Sequence, residues 1–450
     1  MHELLENAAA RASRYLDEIQ ERPVAPSAAA VARLQGLREP FPENPSEPAE
    51  VLALLDELAS PATMGVAGPR FFGFVIGGTL PAALAASWLA TAWDQNAAFA
   101  ATSPATALLE TVALEWMREL FGLPEGSAGA FVTGATMANF SSLAAARHAV
   151  LAGQEWDVEA DGLFGAPPIT VVIGEEAHPT LIKALGLVGF GRSRLVRVPV
   201  DGQGRMRADA LPPLTSASIV CTQAGNVNTG AIDPLEAIAE RTREAGAWLH
   251  VDGAFGLWAA AARARAHLVA GLGQADSWAT DGHKWLNVPY DSGLAFVRDP
   301  ECLRAAMAVT AEYLPPAAGG RNPSDYTPEL SRRGRGVEVW AALRSLGRSG
   351  LDELVETCCR HASRFAAGLD AAGYTILNTV ELNQVLVSFG EAEVTGRVIC
   401  ALQQEGTCWC GPTVWQGRTA MRISVSSWAT TEADVERSLA AMIRVAGEAT

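Results

Sequence analysis

The sequence predicts an α/β protein with a mainly parallel sheet, followed by a smaller α+β domain. Short apolar runs at 219–222 and 247–252 are typical of strands that are buried on both faces of a sheet. A helix is expected between them, because Asp233 and Pro234 form a start signal and Gly246 a stop signal. Since 450 residues exceed one ordinary core, we expect two packed domains.

Residues 1–60 predict an N-terminal helical arm, in which helical patterns are interrupted by a proline-rich stretch at 39–45. Such an arm buries too little apolar surface by itself, so we expect it to pack on a partner surface. The first residues are acidic and lack the apolar core of a secretory signal. This start of the chain predicts a cytoplasmic protein.

An uncharged run extends from Phe71 to Trp93 and is nominally long enough to span a membrane. Two glycines and Pro81 interrupt it, so the run divides into a short segment and one apolar helix. We expect that helix to be buried at a subunit interface, and we expect no membrane partner.

The large domain is expected to cover residues 61–310. Its first strand, at 130–133, is followed by Gly134 and an alanine-rich helix. The free backbone amides at the start of a helix, with the Thr136 hydroxyl beside them, form a site suited to an anion. Another strand is expected at 169–173.

Residues 311–350 are expected to form a mobile loop and a connecting helix. The loop is predicted at Tyr313–Tyr326, which is rich in glycine and proline and lacks apolar periodicity. Residues 351–450 alternate helices with short strands and predict the smaller domain. Its last helix is expected to begin near Thr431, with Asp434 as its capping partner.

Composition narrows the class of function. A hydrophobic content of 49% with 19% charged residues is typical of a folded globular protein. The net charge of −16, without any basic cluster, argues against a nucleic-acid partner. The seven cysteines lack paired C-x-x-C spacing, so neither a disulfide framework nor a metal site is expected. Chemistry on a small molecule is the expectation that remains.

Lysine is almost absent from the chain, since 34 basic residues include only Lys183 and Lys284. An arginine guanidinium is always protonated, whereas a lysine amine can lose its proton and attack a carbonyl group. Lys183 lies in a predicted helix, where an exposed side chain is expected. Lys284 is therefore the candidate for forming an imine.

Asp252 ends the predicted strand that precedes Lys284 by 32 residues (284 − 252), which leaves room for one further strand. Ligands of α/β sheets lie outside the carboxyl ends of the strands, so both side chains are expected at one site. An amine that forms an imine and a buried acid that keeps a pyridine nitrogen protonated suit pyridoxal phosphate.

These features resemble the group II amino acid decarboxylases, a family of fold-type I pyridoxal-phosphate enzymes that includes the aromatic amino acid, histidine and glutamate decarboxylases. The resemblance rests on His178 in Ala177-His178-Pro179-Thr180, on the strand ending at Asp252, and on His283-Lys284-Trp285. It implies a large domain like that of the fold-type I transferases. It also implies a homodimer across which the N-terminal arm packs.

The resemblance assigns roles to further residues. Ala135 and Thr136 would occupy the phosphate-binding turn, and His178 would stack on the pyridine ring and assist proton transfer. Tyr326 would reach the substrate carbon from the mobile loop. The cofactor-binding residues are expected to be Ala135, Thr136, His178, Thr222, Asn226, Asp252, Ala254, Thr280, His283 and Lys284, and the substrate pocket is expected to include Phe72, Phe74, Asn96 and Ala98.

Two segments depart from the family pattern. Asp281 replaces the asparagine of the usual Asn-Pro-His-Lys, which moves the expected phosphate contact to Thr280. In the phosphate-binding turn, Ala135, Thr136 and Met137 stand where the family has its second glycine and a serine-glutamate pair.

The sequence therefore predicts decarboxylation of an L-amino acid to the amine and carbon dioxide. An aminotransferase, with Arg422 binding the substrate carboxylate, stays open, as does another carbon–carbon lyase on the same fold. A protein that keeps the cofactor fold only for binding is the alternative from another class.

Overall fold

The computed structural model describes residues 1–309 and 321–449. Contacts divide the chain into two units. The large unit comprises Thr79–Arg360 and Asn378–Gln384. The small unit comprises Met1–Gly78, His361–Leu377 and the chain from Val385 onward. Most of the predicted mobile loop, including Tyr313, lies outside the described residues.

The large unit is built on a sheet in which, over the described residues, seven strands have the order β1-β7-β6-β5-β4-β2-β3. Its strands are β1 (Ala128–Val132), β2 (Thr170–Gly174), β3 (Val196–Val198), β4 (Ser218–Gln223), β5 (Trp248–Asp252), β6 (Ser277–Asp281) and β7 (Gly293–Val297). Strand β7 is antiparallel to both β1 and β6, and the pairings among β2 to β6 are parallel. The predicted mainly parallel sheet is confirmed.

Helices precede, connect and follow the strands of this sheet along the chain. They are α4 (Pro81–Trp93), α5 (Pro104–Leu120), α6 (Ala135–Ala152), α7 (Val158–Asp161), α8 (Pro179–Val188), α9 (Leu235–Ala245), α10 (Pro300–Met307) and α11 (Gly336–Ala371), the last with a kink at Gly347. The uncharged run from residue 71 becomes helical only at Pro81, as its interruption predicts. Among the described residues, no helix is long and apolar enough to cross a membrane.

The predicted cap of α9 is corrected by the structure. Pro234, not Asp233, is the residue that precedes the helix. The Asp233 carboxylate instead accepts backbone N–H groups of Met206 and Gln223, each at 2.7 Å. Burial raises the pKa of this carboxyl to about 6. The side chain therefore joins loops around β4 and does not cap a helix.

Helix α6 packs closely across β1, β6 and β7 because the contacting side chains are small. Val132, Ala138, Ala279 and Ala295 form one buried cluster at this contact. A side chain at Gly293 would lie 2.3 Å from the Gly134 Cα. Glycine at the start of β7 therefore lets the turn before α6 lie against the end of β6.

The small unit combines the N-terminal helices with the C-terminal segment. Its elements are α1 (His2–Glu18), α2 (Ala28–Arg33), α3 (Pro48–Ala59), β8 (Thr375–Ile376), β9 (Gln384–Ser388), α12 (Ala392–Glu405), β10 (Gly411–Trp415), β11 (Arg418–Ser424) and α13 (Glu432–Ala449). Strands of the described residues form a second sheet with the order β10-β11-β9-β8.

Hydrogen bonds attach the N-terminal segment to the rest of the small unit. The Val24 N–H donates to the Gly406 carbonyl at 2.9 Å.

The predicted capping pair of the last helix is confirmed, since Asp434 accepts the Thr431 N–H and Thr431 Oγ1 accepts the Asp434 N–H.

Candidate active site

The carboxyl ends of β5 and β6 lie side by side and bring two acids and one amine together. Asp252 pairs in register with Ala279, and the Asp281 N–H donates to the Ala254 carbonyl at 3.0 Å. Because the two strands are parallel, the residues that follow them emerge at the same edge. Asp252 and Asp281 are both almost fully buried there.

Lys284 projects from the turn after β6, and its Nζ lies 3.1 Å from Asp281 Oδ2. The turn is fixed by Asn287, whose side-chain amide donates to the carbonyls of Lys284 and Trp285. Asn287 adopts a φ of 56°, a conformation that asparagine tolerates better than most residues. The Lys284 side chain is 20% exposed, so it is partly accessible to solvent at the carboxyl edge of the sheet.

Asp281 also contacts the start of α6. Its Oδ1 accepts the Ala135 N–H at 2.6 Å and lies 3.5 Å from His283 Nε2. His283 Nδ1 accepts the Ser292 N–H at 3.1 Å, which leaves the ring proton on Nε2, facing Asp281. Burial lowers the pKa of His283, so the ring is neutral at pH 7. The Tyr290 ring stacks on it, with the ring centres 4.2 Å apart.

Asp252 has a perturbed carboxyl group. Burial raises its pKa to about 6, and the negative charge of Asp281 adds to this effect. The Lys284 charge, the Asn139 amide and the Ala254 N–H act in the opposite direction. A carboxylate that is buried but opposed by these groups is suited to sharing a proton with a ligand nitrogen.

A buried polar chain lies behind Asp252. His250 Nε2 faces Asn139 Oδ1, which can only accept, so the neutral ring carries its proton on Nε2 and its Nδ1 accepts from the Ser277 hydroxyl at 2.9 Å. Ser277 Oγ in turn accepts the Trp248 Nε1–H at 2.9 Å. His250 Nε2 then donates to Asn139 Oδ1 at 2.8 Å. Burial lowers the pKa of His250 to about 3, so its ring stays neutral. This chain fixes the orientation of the Asn139 amide that acts on Asp252.

Comparison with known proteins identifies the family of the chain. A model of the pyridoxal-dependent decarboxylase conserved domain matches residues 34–391.

The chain belongs to the pyridoxal-dependent decarboxylase family.

Curated relatives of this decarboxylase share a little over a quarter of its residues. An aromatic-L-amino-acid decarboxylase of Bacillus atrophaeus is 27% identical over 76% of this chain and 72% of its own length. Tryptophan decarboxylase 1 of Oryza sativa is 27% identical over 92% of this chain and 87% of its own. An L-2,4-diaminobutyrate decarboxylase of Rhizobium meliloti is 29% identical over 92% and 86%.

Solved structures confirm the fold of the decarboxylase. The crystal structure of Oryza sativa TDC with PLP and tryptamine has a TM-score of 0.92 at 23% identity and covers 99% of this chain and 97% of that one. Mouse CSAD in its apo form has a TM-score of 0.90 at 20% identity and covers 99% and 98%. The predicted fold class, pyridoxal-phosphate dependence and amino acid decarboxylation are confirmed.

The residues present fit pyridoxal phosphate. The Thr280 hydroxyl is fully buried at the end of β6 and, within 1–309 and 321–449, has no hydrogen-bond partner. Lys284 supplies an amine and Asp252 a buried acid at the same edge, the kinds of group that would bind the carbonyl carbon and the ring nitrogen of this cofactor. Gly134, which precedes helix α6, provides no side-chain cap, and the first amide of the helix, that of Ala135, donates to the Asp281 carboxylate.

The other predicted cofactor residues have varied surroundings. His178 precedes α8 at the carboxyl end of β2, and its Nδ1 lies 2.6 Å from Thr180 Oγ1. Thr222 Oγ1 donates to the His250 carbonyl at 3.1 Å, so it stabilises the sheet. Asn226 Oδ1 accepts the N–H groups of two residues in its own loop.

The structure does not bring Tyr326 to Lys284 within one chain. Its ring packs on a cluster that includes Ala130, Val297 and Leu303, at the end of the sheet opposite Asp252. The Arg321 guanidinium lies over the ring, 4.2 Å from its centre. Within a single chain, this position therefore does not place the Tyr326 hydroxyl at the Lys284 edge.

The predicted pocket residues are divided between the units. Phe72 and Phe74 belong to the small unit, where Phe72 is buried edge-on against Phe365 and Phe74 stacks on Trp409. In the large unit Ala98 is fully buried, and Asn96 Oδ1 accepts the Arg332 N–H at 3.0 Å.

Sequence reasoning missed Asn139, His250 and Asp281 as parts of the site. The signal for Asn139 was its position four residues into α6 from Ala135, one helical turn from the predicted anion site. Its contacts depend on β5 and β6 lying beneath α6, which motifs alone do not give.

Proposed function

We propose that Lys284 binds the cofactor covalently and that Asp252 keeps a proton on its ring nitrogen, so that an L-amino acid loses carbon dioxide. The observation that carries this proposal is the meeting of the nearly buried Asp252 with Lys284 at adjacent strand ends. When bound, pyridoxal phosphate supplies an electron sink for the pair left by carbon dioxide.

Asp252 is suited to sharing a proton because its neighbours shift the pKa of its carboxyl group in opposite directions. Burial favours the protonated carboxyl, while the Lys284 charge and the Asn139 amide favour the carboxylate. The polar chain through His250 holds that amide in one orientation. The carboxyl group is therefore placed and ready before a ring nitrogen arrives.

The phosphate is assigned to the start of α6. Thr136 is the second residue of the helix, and Thr280 adds a buried hydroxyl without a partner among the described residues. Backbone amides at a helix start favour an anion through both hydrogen bonds and the helix dipole. We assign stacking on the ring to His178, which follows the carboxyl end of β2, two strands away from β5.

Tyr326 is proposed as the acid that returns a proton to the substrate carbon. Its support is the sequence match of Asp325-Tyr326. Within one chain the Tyr326 ring packs against Leu303, at the end of the sheet opposite Asp252.

We infer a homodimer that works in the cytoplasm. Helix α4 lacks charge and exposes the large apolar side chains of Trp88, Leu89 and Trp93, a face suited to a second copy of the chain. All seven cysteines are free, and five of them are buried, as expected in a reducing compartment.

The substrate is proposed to be a free L-amino acid. Relatives of this decarboxylase are named for aromatic substrates, for L-2,4-diaminobutyrate and for aspartate. What these substrates share is the α-amino acid group, and the residues at the Lys284 edge act on that group.

The test is release of carbon dioxide from a panel of amino acids without an added keto acid. Purified protein is also reduced with borohydride, and the cofactor adduct is located by mass spectrometry. We expect carbon dioxide with the matching amine, and an adduct at Lys284. Turnover that depends on a keto acid would identify an aminotransferase, and an adduct at Lys183 would overturn the assignment of the lysine.

A further inference from the structure

Asp281 occupies the position at which a phosphate would meet α6. Its carboxylate is 2% exposed and accepts the Ala135 N–H at 2.6 Å, the first amide of an 18-residue helix. Gly134 has no side chain that could cap the helix, so Asp281 is the anion at this helix start.

The same carboxylate engages the amine that the cofactor needs. Asp281 Oδ2 lies 3.1 Å from Lys284 Nζ, while Oδ1 is turned toward the helix. A nearby negative charge stabilises the protonated ammonium form of a lysine. One side chain therefore contacts both the amide suited to the phosphate and the amine suited to the carbonyl.

Space around this carboxylate is limited. A Cβ added at Gly134 would lie 3.3 Å from His283 Cε1 and 3.5 Å from Asp281 Oδ1. A carboxylate offers acceptors only, so it cannot donate a hydrogen bond to a phosphate oxygen as an asparagine amide can. It also repels the phosphate charge over a distance of a few ångströms.

We propose that Asp281 is an internal competitor of the cofactor phosphate, which lowers the affinity of the chain for phosphorylated cofactor. The proposal rests on the proposed function, because it takes Lys284 and the start of α6 as the cofactor contacts. It makes Asp281 the residue that sets cofactor affinity. The phosphate gains the Ala135 amide only when Asp281 gives it up.

The test measures dissociation constants of the cofactor-free protein for pyridoxal phosphate and for pyridoxal, which lacks the phosphate. In the wild type we expect the two constants to differ by no more than about tenfold, since repulsion offsets the helix contact. In Asp281→Asn we expect affinity for pyridoxal phosphate to rise at least about tenfold, and affinity for pyridoxal to rise less than about threefold.

Asp276→Asn is the matched control at the other end of β6. Asp276 also accepts a backbone N–H, that of Leu249 at 2.8 Å, and it also pairs with a cation, Arg298. We expect this variant to leave both constants unchanged.

Three results would overturn the proposal. The first is a wild type that prefers pyridoxal phosphate over pyridoxal by more than about 10³-fold, a measurement that needs no variant. The second is an Asp281→Asn variant that binds pyridoxal phosphate no more tightly than the wild type. The third is an equal gain for both compounds, which would assign the effect to the Lys284 pair alone. An adduct away from Lys284 would instead contradict the proposed function, so the two failures can be told apart.

Discussion

The two ends of β6 carry the same kind of ion pair and have different chemistry. Immediately before the strand, Asp276 accepts the Leu249 N–H and lies 3.7 Å from Arg298 Nε. At its last residue, Asp281 accepts the Ala135 N–H and lies 3.1 Å from Lys284 Nζ. Each end therefore places a carboxylate between a backbone amide and a cation.

The difference lies in the cation and in the exposure. The Asp276 and Arg298 side chains are 29% and 39% exposed, whereas the Asp281 side chain is 3% exposed. Arginine stays charged under all ordinary conditions, while a lysine amine can lose its proton and attack a carbonyl. The pair geometry alone therefore does not make a site, and the identity of the cation decides what the pair can do.

The strongest way to break this comparison is Lys284→Arg, which keeps a cation beside Asp281 but removes the nucleophilic amine. We expect loss of the borohydride-reducible cofactor bond and a fall in carbon dioxide release of at least about 10³-fold. Absorbance of the bound cofactor and a carbon dioxide assay check the two effects.

Arg298→Lys is the reverse exchange at the other end of the strand. It is expected to keep wild-type turnover, because no cofactor contact is assigned there. Turnover of Lys284→Arg close to that of Arg298→Lys would show that the cation is interchangeable and would contradict the comparison.

Asp252→Asn tests the acid of the same edge. The amide keeps the shape of the side chain and removes the carboxylate that is proposed to hold a proton on the ring nitrogen. We expect turnover to fall about 10²- to 10⁴-fold with the cofactor still bound. Asp276→Asn is the control and should retain turnover, and normal turnover in Asp252→Asn would remove the acid from the proposed mechanism.

Tyr326→Phe tests the comparison from the opposite end of the sheet, where this ring packs on Leu303. Phenylalanine keeps the ring and its packing, so the variant isolates the hydroxyl. The proposed acid role predicts that product shifts from amine toward aldehyde with oxygen consumed, with amine formation falling about 10²-fold or more. If Tyr326→Phe keeps the amine yield and oxygen uptake of the wild type, the Tyr326 hydroxyl is not the acid and the ring serves only to pack under Arg321.

Much of the fold could be predicted because its signals are local. Apolar runs located β4 and β5, and one acid and one lysine at strand ends pointed to the edge that is proposed to bind the cofactor. The capping of α13 by Thr431 and Asp434 follows from their spacing alone.

Contacts between distant segments could not be predicted in the same way. Asn139 bonds to His250 only because α6 lies across β5 and β6, and the Asp281 contact with Ala135 joins residues 146 positions apart. Asp233 shows the reverse case, in which a local capping signal was outweighed by two backbone amides from other segments.

The smallest expected effect concerns the stability of the cofactor-free protein. Burial, with a contribution from the Asp281 charge, raises the pKa of Asp252 from 3.8 to about 6. A carboxyl group whose pKa is raised by folding stabilises the folded state fully below its unfolded pKa, and this contribution is lost as pH rises through the folded pKa. The window of loss therefore runs from about pH 4 to pH 6, and above it ionised Asp252 lowers the free energy of unfolding by about 3 kcal/mol.

Asp252→Asn removes this ionisation, so we expect the cofactor-free variant to unfold at a higher temperature than the wild type at pH 7.5. The difference should shrink toward zero as pH falls below about 4, where Asp252 becomes protonated in the unfolded state as well as in the folded state. The stabilising contribution of neutral His250 is lost as pH falls below the usual histidine pKa. Because His250 is present in both proteins, this loss cancels in the difference between them. Thermal unfolding at both pH values provides the measurement.

Asp276→Asn sharpens the comparison between the two ends of β6. Burial also raises the pKa of Asp276, while the Leu249 N–H and Arg298 oppose the shift. We therefore expect Asp276→Asn also to raise the unfolding temperature, but by less than Asp252→Asn. The Asp276 carboxylate is more exposed, and the arginine that it pairs with is always charged. Equal rises in unfolding temperature for Asp252→Asn and Asp276→Asn would mean that the Lys284 edge is no less stable than the other end of the strand. A larger rise for Asp252→Asn would identify the Lys284 edge as the place where the protein loses stability in favour of function.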